Sequence, residues 1–357
     1  MDENEFVLED RIAKIRAINE QHDLLNNGYI SFSGGRDSKI TSDVFDIALP
    51  NNKIPRLFLN TGIEYSKMVK YVKRLADKDD RIIIYNSGVN INKMLNEYGY
   101  PFKSKQHSHN WAIFNNNREE ISKYIDMIEK DKSLLMNYDF IHNLPTGIKT
   151  TIKYIYGMRE REREISTSIK GCPNKLLYQF EGCPNTNIKY SDMCCYKMKK
   201  EPAHKWEQEN NRHIAITGMR AEEGGMRNQN GCTIFDDDNK LKKFHPIKVV
   251  SEQWEEWFIK KYNVELCELY YPPYNFKRTG CKGCPFDLNI QETLNTMYKL
   301  LPKEYYQCLH LWKPVYDEYI RIGYRLKYYP HERGVQMTID DYLGEKENDN
   351  KRNTRVH

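Results

Sequence analysis

Short apolar runs alternate with stretches of helical periodicity through the first hundred residues. Three apolar runs predict strands, at 28–32, 55–59 and 81–85. Apolar positions at helical spacing predict three helices, at 5–19, 39–49 and 67–75. Strands that alternate with helices indicate a parallel sheet with right-handed crossovers, and its ligand site is expected at the carboxyl ends of the strands.

The pattern changes after residue 100. The stretch 118–136 predicts a charged helix, and the alternating arginines and glutamates of 158–164 are interpreted as a solvated helix, with a nucleic-acid or substrate contact as the alternative. A further strand is predicted within 213–218. We divide the chain into a first part of a nucleotide domain, a mainly helical insertion, the remainder of that domain and a helical tail, at 1–100, 101–190, 191–290 and 291–357.

Composition bounds the class of protein. The 357 residues carry a net charge of +5, a mean hydropathy of -0.81 and no apolar run of the 18 residues that a membrane helix needs. Residues 1–5 are acidic and no apolar segment follows them, so we expect a soluble, cytoplasmic protein with no membrane partner. The charge permits an anionic partner without requiring one.

The segment 33–38, Ser-Gly-Gly-Arg-Asp-Ser, lies between the first predicted strand and a helix. Backbone N–H groups at a helix N-terminus bind anions, and Gly34 and Gly35 let the backbone approach phosphate oxygens where a Cβ would clash. Ser33 and Ser38 add hydroxyl donors, and Arg36 adds positive charge. The Walker spacing is absent, and the segment predicts a different kind of phosphate-binding loop.

Nine cysteines in a chain without a predicted secretion signal favour reduced thiols over disulfides. The spacing of Cys281 and Cys284 lets two thiolates converge on one centre, whereas the adjacent Cys194 and Cys195 suit two iron atoms of a cluster. A zinc site is the alternative. In a zinc site, Cys172 or Cys183 could replace one cysteine of the adjacent pair.

The segment 33–38 resembles the S-G-G-x-D-S signature of the PP-loop superfamily, which includes ATP pyrophosphatases and the phosphoadenosine phosphosulfate (PAPS) and adenosine phosphosulfate (APS) reductases. Arg36 stands where lysine is usual. The resemblance implies a doubly wound, mostly parallel α/β fold of the HUP-like kind that holds an adenine nucleotide. The segment 60–62, Asn-Thr-Gly, is similar to the family's D-T-G segment, with asparagine in place of aspartate.

Two further segments are similar to the reductases. Residues 217–227 resemble the pattern T-G-x-R-x-x-E-S-x-x-R, so Arg220 and Arg227 correspond to arginines that meet the terminal sulfate or phosphate. The cysteine pairs and their flanks resemble the iron–sulfur signature of the assimilatory APS reductases. This resemblance assigns a [4Fe-4S] cluster to four residues, Cys194, Cys195, Cys281 and Cys284.

The resemblance also supplies the expected site residues. The residues expected to bind the nucleotide are Ser31, Ser33, Gly34, Gly35, Arg36, Asp37, Ser38, Asn60, Thr61, Gly62, Gly218 and Arg220. The residues expected to act in catalysis are Arg36, Asp37, Arg220 and Arg227. The arginines among them would stabilise the charge that builds on the phosphates.

One family feature is missing. Sulfonucleotide reductases attack the sulfate with a cysteine in an E-C-G-[LI]-H tail motif, and no cysteine follows Cys308. We therefore favour an enzyme that uses ATP and Mg²⁺ to activate an acceptor for sulfur transfer. Enzymes of DNA phosphorothioation and tRNA thiolation resemble this pattern, and they imply a nucleic-acid acceptor and a cysteine desulfurase-like sulfur donor. The alternatives are an APS or PAPS reductase supplied by thioredoxin, and a nucleotide-sensing or nucleic-acid-binding module without turnover.

Overall fold

The computed structural model describes residues 2–161, 164–167, 188–223 and 231–332. The strands in this part are β1 (Gly28–Ser31), β2 (Arg56–Asn60), β3 (Ile82–Asn86), β4 (Met158–Arg161), β5 (Glu164–Thr167), β6 (Ile214–Ile216), β7 (Thr233–Phe235) and β8 (Leu241–Phe244). The α-helices before β4 are α1 (Glu3–His22), α2 (Leu24–Asn27), α3 (Arg36–Ala48), α4 (Ser66–Ala76), α5 (Ile91–Tyr98), α6 (Lys105–Asn116), α7 (Arg118–Lys130), α8 (Tyr138–His142) and α9 (Thr146–Ile155). Those after β5 are α10 (Glu201–Glu209), α11 (Glu252–Tyr262), α12 (Ile290–Leu300) and α13 (Pro302–Ile322).

Shorter helical turns connect these elements. An α-helical turn, Met193–Cys195, and a π-helical turn, Tyr196–Lys200, lead directly into α10. Single 3₁₀ turns lie at Lys132–Met136, Ala221–Glu223 and Glu268–Tyr270. Within the described residues, no helix is both long enough and apolar enough to cross a membrane.

The central sheet has the strand order β3-β2-β1-β6-β8-β7. All neighbours in it are parallel except β7, which pairs antiparallel with β8 at one edge. On β1, Ile30 lies opposite Arg56 of β2 and Ile216 of β6, so the loop after β1 leaves from the middle of the sheet. The three strands predicted within the first hundred residues are confirmed.

Side chains alternate between the two faces of the sheet, and helices cover both faces. Ile30 and Ile216 join a buried cluster with α1 and α3. Tyr29 and Ala215 point to the opposite face, where they pack with Trp206 of α10. A parallel sheet covered on both faces is the doubly wound α/β arrangement, so the predicted fold class is confirmed.

The insertion and the tail differ in part from the predictions. The expected helix 118–136 is divided into α7 and a 3₁₀ turn, because the Asp131 carboxylate accepts hydrogen bonds from the backbone N–H and hydroxyl of Ser133. The helix predicted over 158–164 is wrong, since β4 pairs antiparallel with β5. An alternation with period two fits a strand better than a helix.

One buried cluster unites helices that lie far apart in the sequence. It includes side chains of α4, of the insertion helices α6, α7 and α9, and of α12 and α13. Trp111 of α6 and Trp312 of α13 are both members. The division of the chain at residues 100, 190 and 290 stays a prediction.

Candidate functional site

A cavity of about 700 Å³ opens at the carboxyl end of β1 and runs along the face of the sheet that α10 covers. Ser31, at the end of β1, and Thr217, just after β6, line it together with the loop after β1. The π-helical turn contributes Lys199 and Lys200. Crevices at the carboxyl ends of parallel strands are where α/β sheets bind their ligands, so this cavity is the candidate nucleotide site.

The loop after β1 is held by its own serines. Ser33 donates its backbone N–H to the Ser38 hydroxyl at 3.2 Å, and the Ser38 hydroxyl donates to the Gly35 carbonyl at 2.9 Å. Gly34 has a φ of +72°, and a Cβ there would lie 2.6 Å from the Met68 sulfur. Ser38 is therefore a support of the loop, and Gly34 is the position at which the turn packs against α4.

Helix α3 begins at Arg36 and has Gly35 as its N-cap, so the N-cap residue itself provides no side-chain capping hydrogen bond. The backbone N–H of Arg36 donates instead to the hydroxyl of Tyr270 at 3.1 Å. That hydroxyl lies 2.7 Å from the Thr279 hydroxyl. A phosphate oxygen binds at this position of a helix, so Tyr270 holds the place that an anion would take.

The backbone after β6 comes close to the start of α3. A Cβ on Gly218 would lie 2.6 Å from the carbonyl oxygen of Asp37 and 2.9 Å from the Thr41 hydroxyl oxygen. Gly218 thus allows the two predicted nucleotide segments to meet. The absence of a side chain at Gly218 lets the backbone after β6 pack directly against the first turn of α3.

Carboxylates pair with two of the predicted phosphate-binding arginines, Arg36 and Arg220. Arg36 Nη2 donates to Glu252 Oε1 at 2.9 Å, and Arg36 Nε lies 3.1 Å from Glu255 Oε2. Arg220 Nε lies 3.2 Å from Asp37 Oδ1 and 3.3 Å from Glu255 Oε1. The structure therefore brings Arg36, Asp37 and Arg220 together in one charged group.

Glu255 is at the centre of that group and is fully buried, with 0% of its surface exposed. Its two oxygens form ion pairs but lack aligned hydrogen bonds. Burial, and then the nearby Asp37 carboxylate, raise the pKa of Glu255, while Arg220 and Arg36 oppose the rise. The loop thus meets a charged cluster from α11 that its own sequence does not reveal.

The segment after β2 lies elsewhere. Asn60 and Gly62 line a second cavity, and the Thr61 hydroxyl and backbone N–H both donate to the Glu64 carboxylate, at 2.7 and 2.9 Å. Glu64 lines both cavities. Of the residues predicted to bind nucleotide, these three are the ones that the structure places away from the loop after β1.

The four predicted cluster cysteines lie together. Each thiol of Cys194, Cys195, Cys281 and Cys284 interacts electrostatically with the other three. Burial raises the pKa of the Cys194, Cys281 and Cys284 thiols. Among the residues that the structure describes, no three His, Cys, Asp or Glu side chains are arranged to hold a single metal ion.

Lys199 links the cysteines to the first cavity. Its ammonium group lies close to Cys281, and the Cys281 and Glu64 charges raise the pKa of Lys199. Because Lys199 also lines the cavity, a cation lies between the candidate nucleotide site and the thiols. It is placed to stabilise a thiolate.

Helix α13 holds the segment that carries Cys281 and Cys284. Trp312 Nε1 donates to the Lys282 carbonyl at 3.2 Å, and the Tyr319 hydroxyl donates to the Pro285 carbonyl at 2.8 Å. The Tyr316 hydroxyl donates to the Gly283 carbonyl. These bonds fix the backbone on which the two thiols converge.

Some residues singled out in the sequence have other positions. Arg227, Cys172 and Cys183 lie outside the described residues. Cys308 is 1% exposed, and burial raises the pKa of its thiol to about 12, which does not suit a nucleophile. His245 is 0% exposed, and its Nδ1 lies 2.7 Å from the Thr217 hydroxyl.

Sequence analysis missed four side chains of the site, Glu255, Tyr270, Thr279 and Lys199. Lys199 and Thr279 belong to the segments that flank the cysteine pairs, but the sequence assigned neither of them a role in the site. The one available signal was the lysine-rich segment directly after Cys195, which contains Lys199.

The chain is similar to proteins of known sequence and structure. Residues 27–140 and 144–286 match the model of the phosphoadenosine phosphosulfate reductase domain. The crystal structure of PAPS reductase from Candida auris in a phosphate complex is similar over 71% of this chain and 80% of that one, with 12% identity and a TM-score of 0.36. An uncharacterised protein of Methanocaldococcus jannaschii is 27% identical over 94 residues, which are 26% of this chain and 22% of that protein.

Proposed function

The chain belongs to the phosphoadenosine phosphosulfate reductase domain family, and from this premise we propose that it uses ATP to activate an acceptor for sulfur transfer. In this reaction an acceptor oxygen attacks the α-phosphorus of ATP. The bond to the bridging oxygen breaks and pyrophosphate leaves. The terminal sulfur of a persulfide on a desulfurase-like donor then attacks the activated acceptor, and AMP leaves with the acceptor oxygen. A thiol reductant cleaves the remaining S–S bond, so that sulfur replaces the acceptor oxygen.

One observation carries this proposal over reduction of a sulfonucleotide. In the described part of the chain, no cysteine lines the cavity at the phosphate-binding loop. A reductase needs a thiolate that attacks the sulfate. Cys308, the last cysteine of the sequence, is buried and lines the second cavity instead.

The loop and its arginines suit a triphosphate. The backbone N–H of Arg36 at the start of α3 points to the position that a phosphate oxygen would take, now held by Tyr270. Arg36 and Arg220 supply guanidinium groups, which bind phosphate oxygens in pairs. They would stabilise the negative charge that develops on the leaving pyrophosphate. Arg227 has the same predicted role.

The Mg²⁺ ion that accompanies the nucleotide needs few protein ligands. Mg²⁺ usually binds one or two carboxylates together with substrate phosphates. Asp37 lines the cavity beside Glu255 and Arg220, and its carboxylate would be the loop's contribution.

The four cysteines fit a [4Fe-4S] cluster better than zinc. Each thiolate of such a cluster binds a different iron, so the thiols stand apart around a common centre, whereas one zinc ion needs its ligands to converge. The mutual electrostatic interaction of the four thiols supports a shared centre at these cysteines. When bound, the cluster would hold or deliver the sulfur that is transferred.

The test uses anaerobically purified full-length protein in two reactions. One contains ATP, Mg²⁺ and total cellular nucleic acid, and is assayed for pyrophosphate and AMP. The other contains APS or PAPS with reduced thioredoxin, and is assayed for sulfite. Arg36→Ala removes a loop charge, and Arg118→Ala is the matched control on α7, outside both cavities.

We expect pyrophosphate and AMP from the wild type and from Arg118→Ala, a large loss in Arg36→Ala, and no sulfite. Sulfite would overturn the proposal in favour of a reductase. ATP that binds and stays intact would overturn it in favour of a nucleotide-sensing module.

A further inference from the structure

A second cavity, of about 820 Å³, lies on the other side of Glu64 from the candidate nucleotide site. The segment after β2, helix α4 and the first turns of α13 form its walls, and Lys282 brings the cysteine segment to it. Glu64 is the residue that lines both cavities, and Thr61 holds its carboxylate in place. A ligand in the second cavity would therefore lie one side chain away from the nucleotide.

The lining of this cavity is cationic. Lys70, Lys282 and Lys303 contribute three ammonium groups, and Glu64 is the one carboxylate among the described lining residues. Within that part of the chain, neither Lys70 nor Lys303 forms an ion pair or a hydrogen bond through its side chain. Unpaired lysines around a cavity attract an anion.

Lys282 is a buried residue in the lining of the second cavity. It is only 8% exposed, and its Nζ donates to Gln307 Oε1 at 2.7 Å. Its backbone N–H donates to the Ile63 carbonyl at 2.8 Å, and its carbonyl accepts from Trp312. Its ammonium group therefore has a neutral side-chain partner and forms no ion pair within the described residues.

An aromatic side chain stands among these lysines. Tyr306 lines the cavity and is 53% exposed, and its ring packs edge-on against Tyr305 at 5.2 Å between ring centres. Exposed aromatic rings interleaved with lysines bind single-stranded nucleic acid, because bases stack on the ring while lysines contact the phosphates. An acidic peptide would use the lysines but would gain little from an open aromatic face.

We propose that the second cavity binds the acceptor, a single-stranded segment of nucleic acid, with phosphates on Lys70 and Lys303 and a base on Tyr306. This inference rests on the proposed function, since it identifies the acceptor of that reaction. It places the acceptor and the nucleotide on opposite sides of Glu64, close to the cysteine segment.

The test measures binding of short fluorescent single-stranded DNA and RNA to the full-length protein by anisotropy, over a range of salt concentrations and without ATP. Lys70→Gln/Lys303→Gln is compared with Lys14→Gln/Lys260→Gln, which removes the same charge from exposed lysines outside both cavities. Tyr306→Ala is compared with Tyr262→Ala, another exposed tyrosine. Melting temperatures check that each variant is folded.

We expect the slope of log affinity against log salt to fall by about 0.7 for each cavity lysine removed, and Tyr306→Ala to weaken binding about tenfold. Both control variants should keep most of the affinity. Comparing the affinities for single-stranded DNA and RNA identifies which polymer is the acceptor.

Equal losses in the two lysine pairs would overturn the proposal, because the attraction would then belong to the whole surface. Polyglutamate that competes as well as the oligonucleotides would also overturn it, in favour of an acidic protein partner. Because no ATP is present, this result is independent of the pyrophosphate assay. Binding without ATP cleavage defeats only the proposed function, and cleavage without oligonucleotide binding defeats only this inference.

Discussion

The backbone N–H of Arg36 and the hydroxyl of Tyr270 form a 3.1 Å hydrogen bond at the N-terminus of α3. The same hydroxyl lies 2.7 Å from Thr279, two residues before Cys281. An incoming phosphate must displace the Tyr270 hydroxyl to reach the amide. The phosphate-binding loop is therefore joined, through one hydroxyl, to the segment that carries the cysteines.

Replacing Tyr270 with phenylalanine should tighten nucleotide binding. The change leaves the Arg36 amide without a competing protein hydroxyl, and one such hydrogen bond corresponds to about two- to tenfold in affinity. Calorimetry with a non-hydrolysable ATP analogue and Mg²⁺ measures the effect. Tyr271→Phe, at the neighbouring exposed tyrosine, is the control. Weaker binding by Tyr270→Phe would mean that the hydroxyl contacts the nucleotide in the complex.

Gly218→Ala should destabilise the fold and impair the loop. The new methyl group would overlap the Asp37 carbonyl, at 2.6 Å, and backbone cannot move aside as a flexible side chain can. We expect a loss of about 1–3 kcal/mol in the free energy of unfolding, as in other overpacked sites, together with weaker ATP binding. Urea unfolding and calorimetry measure the two effects.

Gly147→Ala supplies the contrast for that experiment. Gly147 lies within α9, and a Cβ there would meet Ile113 at an ordinary contact distance of 3.5 Å. Alanine is the better helix former, and Gly147 lies in the first turn of α9, so this variant should keep its stability or gain up to about 0.5 kcal/mol. Equal stability of the two variants would contradict the close approach at Gly218.

Residues of the site that belong to short sequence motifs could be predicted, whereas residues that only tertiary packing brings to the site could not. The loop after β1 was predictable because its glycines, its serines and the flanking strand and helix are consecutive. That the four cysteines lie together was implied by the resemblance of both pairs and their flanks to the family's iron–sulfur signature. Glu255 was not predictable, since an acidic residue in the first turn of a helix is common and only the packing of α11 brings it to Arg36 and Arg220.

The segment 60–62 shows the opposite case. Its position at the end of β2 is as predicted, yet Asn60 and Gly62 border the second cavity because the Glu64 side chain, held by Thr61, stands between them and the loop. The Glu64 side chain, four residues beyond the end of β2, thus determines which cavity Asn60 and Gly62 line. Strand order alone could not reveal it.

His245 should make the protein sensitive to acid. Burial, with Lys243 and Lys248, lowers the pKa of His245 to about 4, so the folded protein keeps the ring neutral while the unfolded chain takes up a proton below about pH 6.5. The free energy of unfolding should therefore fall as the pH drops from 6.5 towards 4.

His245→Asn should flatten this dependence by at most about 1.4 kcal/mol per pH unit, as urea unfolding at several pH values would show. The loss of the Thr217 contact lowers stability at every pH, so the slope is the measurement that reports on the buried ring. His142→Asn, at an exposed histidine, is the control. An unchanged slope in His245→Asn would show that the ring does not titrate in this way.

Cys281→Ser should abolish the iron content and the visible absorbance of anaerobically purified protein. A serine hydroxyl is a poor ligand for iron, and Cys281 is the thiol that most affects the pKa of Lys199, so its loss also weakens the link to the first cavity. Cys232→Ser is the matched control, because Cys232 lies outside the group of four and beside Arg11. Iron and acid-labile sulfide per chain, measured with the spectrum, decide between the two metals. Colourless wild-type protein that contains one zinc ion, lost in Cys281→Ser but not in Cys232→Ser, would establish the same thiols as a zinc site.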